Sequence, residues 1–164
     1  GSQTGAQLKP HPARIESFAL FKERNPEGLI LVPNNPASRD YGRNPYRAYA
    51  ARNSSLFPFD GTLPDGIGPM ARVVAVETSD GHAAWYLALL RERGKITAGD
   101  LKLQWSKGQA SALDTSQIAT GRDVGNVVVQ RTMAGGPGLV DVPYDVTFAF
   151  AFHAFRPDSP IYTE

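Results

Sequence analysis

The chain has 164 residues, of which 41% are hydrophobic and 20% are charged, and its formal net charge is +1. These proportions suffice for one globular domain, residues 1–164, or for two small lobes that share one core. The Lys and Arg residues form no basic run, which argues against nucleic acid as a partner. Because cysteine is absent, disulfides, thiolate nucleophiles and cysteine-ligated metals are excluded. No apolar stretch reaches the roughly 20 residues that cross a bilayer, and no signal-peptide pattern is visible in the chain.

The first part of the chain, residues 15–69, predicts a helix, a strand and a long loop. Apolar residues at helical spacing predict a short amphipathic helix over residues 15–25, with Phe18 and Phe21 facing inward. The apolar run at 28–32 predicts a short buried strand. Residues 34–69 are rich in Pro, Gly, Asn and Ser, and their aromatic side chains, Phe57 among them, favour an ordered loop over disorder.

The second part, residues 70–164, is rich in strand patterns. β-branched and alternating residues predict strands in four places: 72–77, 101–105, 111–114 and 126–131. The stretch 83–93 begins like a strand and finishes like a helix, with Gly94 ending it. Together these elements predict an α+β fold, with short antiparallel strands in the second half and short helices near both ends.

The tail, residues 145–155, carries two periodicities, because its phenylalanines alternate as in a strand and also share a helical face. We favour a helix because residues 21–30 align with residues 152–161. In each copy a helix stopped by proline is followed by an acidic residue and a return into an apolar strand. An ancestral duplication would explain this match, although a ten-residue match can also arise by chance.

The best candidate site is the segment Asp-Tyr-Gly-Arg-Asn-Pro-Tyr at residues 40–46. Glycine permits close backbone approach and asparagine before proline is extended, so a rigid turn would display Asp40, Arg43 and Asn44. Three aromatic residues lie alongside: Tyr41, Tyr46 and Tyr49. Such a group suits a carboxylate, phosphate or sugar, with a bidentate arginine. In the competing structural interpretation, Asp40 and Asn44 hydrogen-bond their own turn and Arg43 pairs with Asp40.

The histidines give weaker signals. His153 precedes Arg156 and Asp158, and it is either a general base oriented by Asp158 or, more simply, a histidine satisfied at a helix end. His82 falls in a predicted turn and is interpreted as a solvated loop residue. No pair of histidines has metal-ligand spacing, so we predict neither a metal nor a cofactor. Serine-nucleophile motifs are also absent.

Several segments together resemble the bacterial domain-of-unknown-function family 3179. The resemblance rests on five stretches: 17–28, 39–49, 56–58, 71–74 and 152–162. It implies an exported, periplasmic protein, and it implies that this chain is the carboxyl-terminal part of a longer one. The front half of family members typically carries a Cys-Pro-Leu-Cys stretch that nothing here matches, so no redox or metal chemistry is carried over. Typical members also have Tyr-Pro-Leu where this chain has Tyr86, Leu87 and Ala88.

Two hypotheses of function follow. The first is a non-catalytic binding or assembly module of an exported protein. It would bind a protein partner, or the amino-terminal half of the family, through aromatic and arginine residues of the loop 34–59. The second is an enzyme or small-ligand receptor for an anionic or sugar-like ligand, with Asp40, Arg43 and His153 converging. The resemblance brings no established activity, so whether the protein is an enzyme stays open.

Overall fold

The structure is a computed structural model that describes residues 1–52 and 59–164. The three α-helices of these ranges are α1 Phe18–Arg24, α2 Leu87–Arg93 and α3 Ala149–Phe155. The eight strands are β1 Arg72–Thr78, β2 Gly81–Tyr86, β3 Lys95–Ala98, β4 Leu101–Ser106, β5 Asn126–Thr132, β6 Leu139–Asp141, β7 Tyr144–Phe148 and β8 Ile161–Tyr162. Short 3-10 turns occur at Pro36–Ser38, Tyr49–Ala51 and Ile118–Thr120.

The strands form two four-stranded sheets. The first sheet has the order β7-β1-β2-β8, in which only the β2–β8 pair is parallel. The second has the order β3-β4-β5-β6 and is antiparallel throughout. This arrangement, with helices near both ends of the chain, confirms the predicted α+β fold. Three of the four predicted strands are present as β1, β4 and β5.

The core follows from the alternation of side chains along β1, whose central residues are buried on both faces of the first sheet. Val74 and Val76 belong to a cluster that also contains residues of the second sheet, such as Leu103 and Val129. The intervening residue, Ala75, faces a second cluster that includes residues of α3. The first sheet is therefore covered by the second sheet on one side and by α3 on the other.

The change from strand to helix predicted within residues 83–93 is confirmed. β2 passes directly into α2, whose Leu89 and Leu90 are buried. Gly94 ends the helix with a φ of 69°, and its N–H donates to the carbonyl of Leu90 at 2.8 Å. This left-handed conformation is one that glycine adopts without a Cβ penalty.

The strand predicted at 111–114 is wrong. The hydroxyl of Ser111 accepts from the N–H of Leu113 at 3.2 Å, and the Asp114 carboxylate accepts from the N–H of Arg122 at 2.9 Å. Short polar side chains that bond nearby backbone compete with strand pairing, so the segment is a turn. The edge strands β3 and β6 were not predicted, because they are short and carry few buried residues.

The amino-terminal helix is shorter than predicted. The hydroxyl of Ser17 caps α1 by accepting from the N–H of Leu20 at 3.4 Å. Phe21 is half-buried, but the prediction that Phe18 faces inward is wrong, since its side chain is 62% exposed. α1 contains no buried residue, because no sheet in the described ranges covers the face that carries Phe18.

The buried strand predicted at residues 28–32 is also wrong. This run of apolar side chains belongs to none of the described sheets, and Leu31 is 99% exposed. The helix favoured over residues 145–155 is wrong for residues 145–148, which pair with β1 as part of strand β7. The helix begins at Ala149, and after it the second copy of the repeated unit returns into a strand, β8, as predicted.

Aromatic residues tie the described parts of the long loop to the start of α3. The Tyr49 and Phe148 rings meet edge to face at 5.4 Å, and those of Phe59 and Phe150 do so at 5.2 Å. These contacts support the predicted order of the loop. Residues 56–58, including Phe57, lie outside the described residues. The assignment of residues 1–164 to one domain stays a prediction.

Candidate functional site

Asn44 fixes the candidate turn from inside. It is 8% exposed, and its backbone N–H donates to the carbonyl of Ser116 at 2.9 Å. Its side-chain Oδ1 accepts from the N–H of Tyr46 at 2.7 Å, while Nδ2 donates to the carbonyl of Thr115 at 3.4 Å. Both ends of the amide are thus engaged by backbone, as the structural interpretation of this residue expects. Asn44 positions the turn and is not displayed from it.

A second loop holds the turn along its length. The carbonyl of Gly42 accepts from the N–H of Ile118 at 3.0 Å, and the N–H of Ala48 donates to the carbonyl of Asp114 at 2.7 Å. An isolated antiparallel bridge joins Arg43 to Gln117 between these two bonds. Because backbone bonds on both sides clamp the segment, its conformation is set by the protein and needs no ligand.

The side chains that the turn displays are Tyr41, Arg43 and Tyr46, each at least half exposed. Arg43 Nε lies 3.3 Å from Asp40 Oδ2, and the Asp40 side chain is largely in solvent. An ion pair this exposed contributes about 1 kcal/mol or less to stability, so either partner can exchange it for another contact. These four residues, Asp40, Tyr41, Arg43 and Tyr46, are called the displayed patch below.

The ring of Tyr49 is not part of the displayed patch, although the N–H of Tyr49 donates to the carbonyl of Tyr46 at 3.1 Å. Its ring is half-buried and packs edge to face on Phe148, 5.4 Å between centroids. Phe148 in turn lies beneath the guanidinium of Arg72, at 5.1 Å, and burial lowers the pKa of Arg72. Tyr49 therefore belongs to the packing that attaches the loop to the first sheet.

The structure places the three candidates of the tail on and after α3. His153 is half-buried in the last turn of the helix, and its carbonyl accepts from the N–H of Arg156 at 3.3 Å. Asp158 is exposed. Across residues 1–52 and 59–164 no hydrogen bond or ion pair links His153 with Asp158, and none links it with the displayed patch. The contacts of the described chain therefore do not bring Asp40, Arg43 and His153 together.

A groove of about 850 Å³ lies elsewhere, against the edge of the first sheet. Its wall combines charged and apolar side chains, among them Glu77, His82, Asp145, Phe152, Phe155 and Arg156. Its size is typical of small-molecule sites. The groove was not predicted from the sequence, since its residues come from four separate stretches, 10–13, 75–82, 131 and 142–156, and of these only Arg156 was a candidate site residue.

His82 departs from its predicted place in a solvated turn. It lies in β2, directly opposite Glu77 of β1, and is half-buried. The wall beside it contains Tyr144, whose hydroxyl donates to the carbonyl of Val127 at 2.6 Å. Burial raises the pKa of Tyr144. A hairpin predicted from the two strands, with its turn at Ser79 and Asp80, would have placed His82 opposite Glu77.

The described residues contain no group of three or more His, Asp or Glu side chains arranged to hold a metal ion. Among the described helices, none combines the length and the apolar character needed to cross a membrane.

Comparison with known proteins identifies the family of the chain. A family model described as a protein of unknown function, DUF3179, matches residues 1–159. The matched range includes the turn at 40–46 and all but the last strand of the fold. No curated protein matches the chain, and no solved structure matches it.

Proposed function

This chain belongs to the DUF3179 family of proteins of unknown function, and from that premise we propose that it is a non-catalytic binding module of an exported, periplasmic protein. The displayed patch would contact a protein partner. One observation carries the proposal: the turn is anchored by buried Asn44, while Tyr41, Arg43 and Tyr46 stand at least half in solvent.

Tyrosine and arginine are the residues that most often dominate the energy of protein interfaces. They combine a large contact area with hydrogen-bonding groups, and arginine can grip a carboxylate with two bonds. A turn that is already held by backbone bonds loses little conformational entropy on binding, which favours affinity. The weak Asp40–Arg43 pair leaves both charges free to meet complementary charges on a partner.

Affinity capture from the periplasmic fraction of the source bacterium tests this proposal. The baits are the native chain, Arg43→Ala, Tyr46→Ser and a control, Arg93→Ala, which removes an exposed arginine from α2. We expect the native chain and Arg93→Ala to retain the same protein, and the two patch variants to lose it.

All four baits should be equally stable, because substitutions of exposed side chains usually change the free energy of unfolding by less than about 0.5 kcal/mol. Urea unfolding of each bait checks this. Equal capture by all four baits would contradict a role of the displayed patch in binding.

The groove supports a second candidate function, a receptor for a small ligand. Its mixture of an apolar wall with polar and acidic side chains, Glu77, His82 and Asp145 among them, is the observation that favours it. Thermal-shift measurements with phosphate, citrate and glucose would test the anionic and sugar-like classes. A rise in Tm that is lost in His82→Ala would support this candidate, and no rise with any of the three would count against it.

A further inference from the structure

The repeated segments at the two ends of the chain have the same local structure. The bounds of α3 are those of α1 shifted by 131 positions, 149 against 18 and 155 against 24. The residues that end the two helices have nearly the same backbone angles, φ −133° and ψ 74° at Asn25 against φ −143° and ψ 61° at Arg156. In both copies the N–H of this residue donates to the carbonyl four positions earlier, at 2.8 and 2.9 Å.

The turn after each helix is also shared. The N–H of Gly28 donates to the carbonyl of Asn25 at 2.9 Å, and in the second copy the N–H of Ser159 donates to the carbonyl of Arg156 at 3.1 Å. The match therefore extends through helix, helix end and turn in a common register. Agreement at this level supports a true structural repeat over a chance resemblance of sequence.

The second copy shows what such a unit holds. Before its helix, β7 pairs with β1, and after its turn β8 pairs with β2, so the β1–β2 hairpin lies between the two flanks. The N–H of Ala84 donates to the carbonyl of Pro160 at 3.0 Å, and Tyr162 stacks on Trp85 at 5.3 Å. The hairpin also covers Ala149 and Phe152 of the helix, which are both buried.

In the first copy the equivalent segments belong to no described strand, and no described hairpin lies between them. The position of β7 is taken by residues 13–17, which the Asn126 side chain holds through the N–H of Ser17 at 2.7 Å. The position of Ile161 and Tyr162 is taken by Ile30 and Leu31, which are exposed. Phe18, exposed as well, stands where the second copy has the fully buried Ala149. The apolar surface left open is the surface that a hairpin would cover.

We propose that the first copy is a docking slot for a β-hairpin of the β1–β2 kind. One edge of that hairpin would pair antiparallel with residues 13–17 and the other parallel with residues 28–32, while its face covers Phe18 and Phe21. Strand addition of this kind satisfies open backbone groups and buries apolar side chains together. The slot shares no residue with the displayed patch, and it does not rest on the proposed function.

The occupant to which we commit is a β-hairpin of the β1–β2 kind from a further unit of the same repeat, because the second copy holds such a hairpin between its two flanks. The β1–β2 hairpin of this chain cannot serve, because β7 and β8 already occupy its two edges. The alternative occupant, a second copy of the chain, is an outcome of the test.

The test supplies a hairpin to the intact chain. A second copy of residues 72–86 is fused ahead of Gly1 through a flexible Gly/Ser linker, which gives an effective concentration on the order of millimolar. Hydrogen exchange is measured over residues 28–33, and we expect it to slow at least tenfold relative to the unfused chain.

Two matched pairs of fusions make the test specific. Ala84→Pro in the appended copy removes the N–H that would bond the first copy, and we expect it to restore fast exchange. Leu31→Lys should do the same, whereas Leu8→Lys, at an equally exposed leucine outside the slot, should not. Unchanged exchange in the parent fusion would overturn the slot. A dimer of the unfused chain that Leu31→Lys dissociates in sedimentation would overturn the choice of occupant.

Discussion

The two copies of the helix–turn unit have one local conformation and two different environments. α3 is packed on the first sheet and its Phe152 is buried, whereas α1 has no buried residue. Proline stops and short-range backbone hydrogen bonds set the helix end and the turn geometry in both places. Burial, however, depends on whether a hairpin lies between the flanks. A short segment can therefore adopt the same helix and turn in two places, while the burial of its side chains depends on the elements that pack against it.

The largest expected contrast comes from the phenylalanine that both copies share. Phe152→Ala should lower the free energy of unfolding by about 3–4 kcal/mol, since it empties a buried site. Phe21→Ala, at the equivalent half-buried position, should cost about 1 kcal/mol. Urea unfolding of the two variants beside the native chain measures both values. Equal losses would mean that the two helices are equally packed.

A smaller effect is expected from the residue that attaches the first copy to the second sheet. Asn126 is 2% exposed and accepts from the N–H of Ser17, while its Nδ2 donates to the carbonyl of Lys107 at 3.1 Å. Asn126→Ala leaves those groups without a partner and should cost about 2 kcal/mol. Asn34→Ala, at an exposed asparagine, is the control. Thermal unfolding that shows no difference between the two would contradict this anchoring role.

The smallest effect concerns pH. Arg14 holds Asp141 through two bonds, at 2.6 and 2.7 Å, and the hydrogen bond from Arg14 lowers the pKa of the Asp141 carboxyl. A folded-state pKa below the unfolded one stabilises the protein above the unfolded value, and this contribution is lost as pH falls through the folded value. Asp141→Asn should therefore cost up to about 1 kcal/mol at pH 7.

Below pH about 4, near the ordinary pKa of aspartate, the difference between native chain and Asp141→Asn should shrink as the native carboxylate becomes protonated. Urea unfolding at pH 7, 5 and 3 follows it. A difference that stays constant over this range would show that the charge of Asp141 is not what stabilises the pair.

Much of the fold could be predicted, because its central strands carry runs of β-branched residues, a pattern typical of buried strands. The valines of β1 and β5 are such runs. The run at 28–32 is also apolar, and its pattern predicts a buried strand, but no described strand covers it. Sequence pattern reports that a segment can be buried, and it does not report what is present to bury it.

The candidate site likewise has a part that could be predicted from the sequence and a part that could not. The sequence left two interpretations of Asn44 open, display from the turn or bonds within it. The structure buries Asn44, whose Oδ1 accepts from the N–H of Tyr46 in the turn and whose Nδ2 donates to Thr115 in a second loop. The displayed patch could be named from sequence because its residues are adjacent in the chain. The groove could not, because Glu77, Asp145 and Arg156 come together only through strand order. Contacts between residues that are close in the chain could be predicted from the sequence, whereas contacts that depend on the order of the strands could not.

Hydrogen exchange of the native chain, without fusion or partner, directly tests whether the first copy of the helix–turn unit is an open slot. Leu31 and Tyr162 occupy equivalent positions in the two copies, and only the latter pairs with a strand of the described structure. We predict that the amide of Tyr162 exchanges at least tenfold more slowly than that of Leu31, and that α3 is more protected than α1. Equal protection of the two copies in the isolated chain would contradict an open slot in the first.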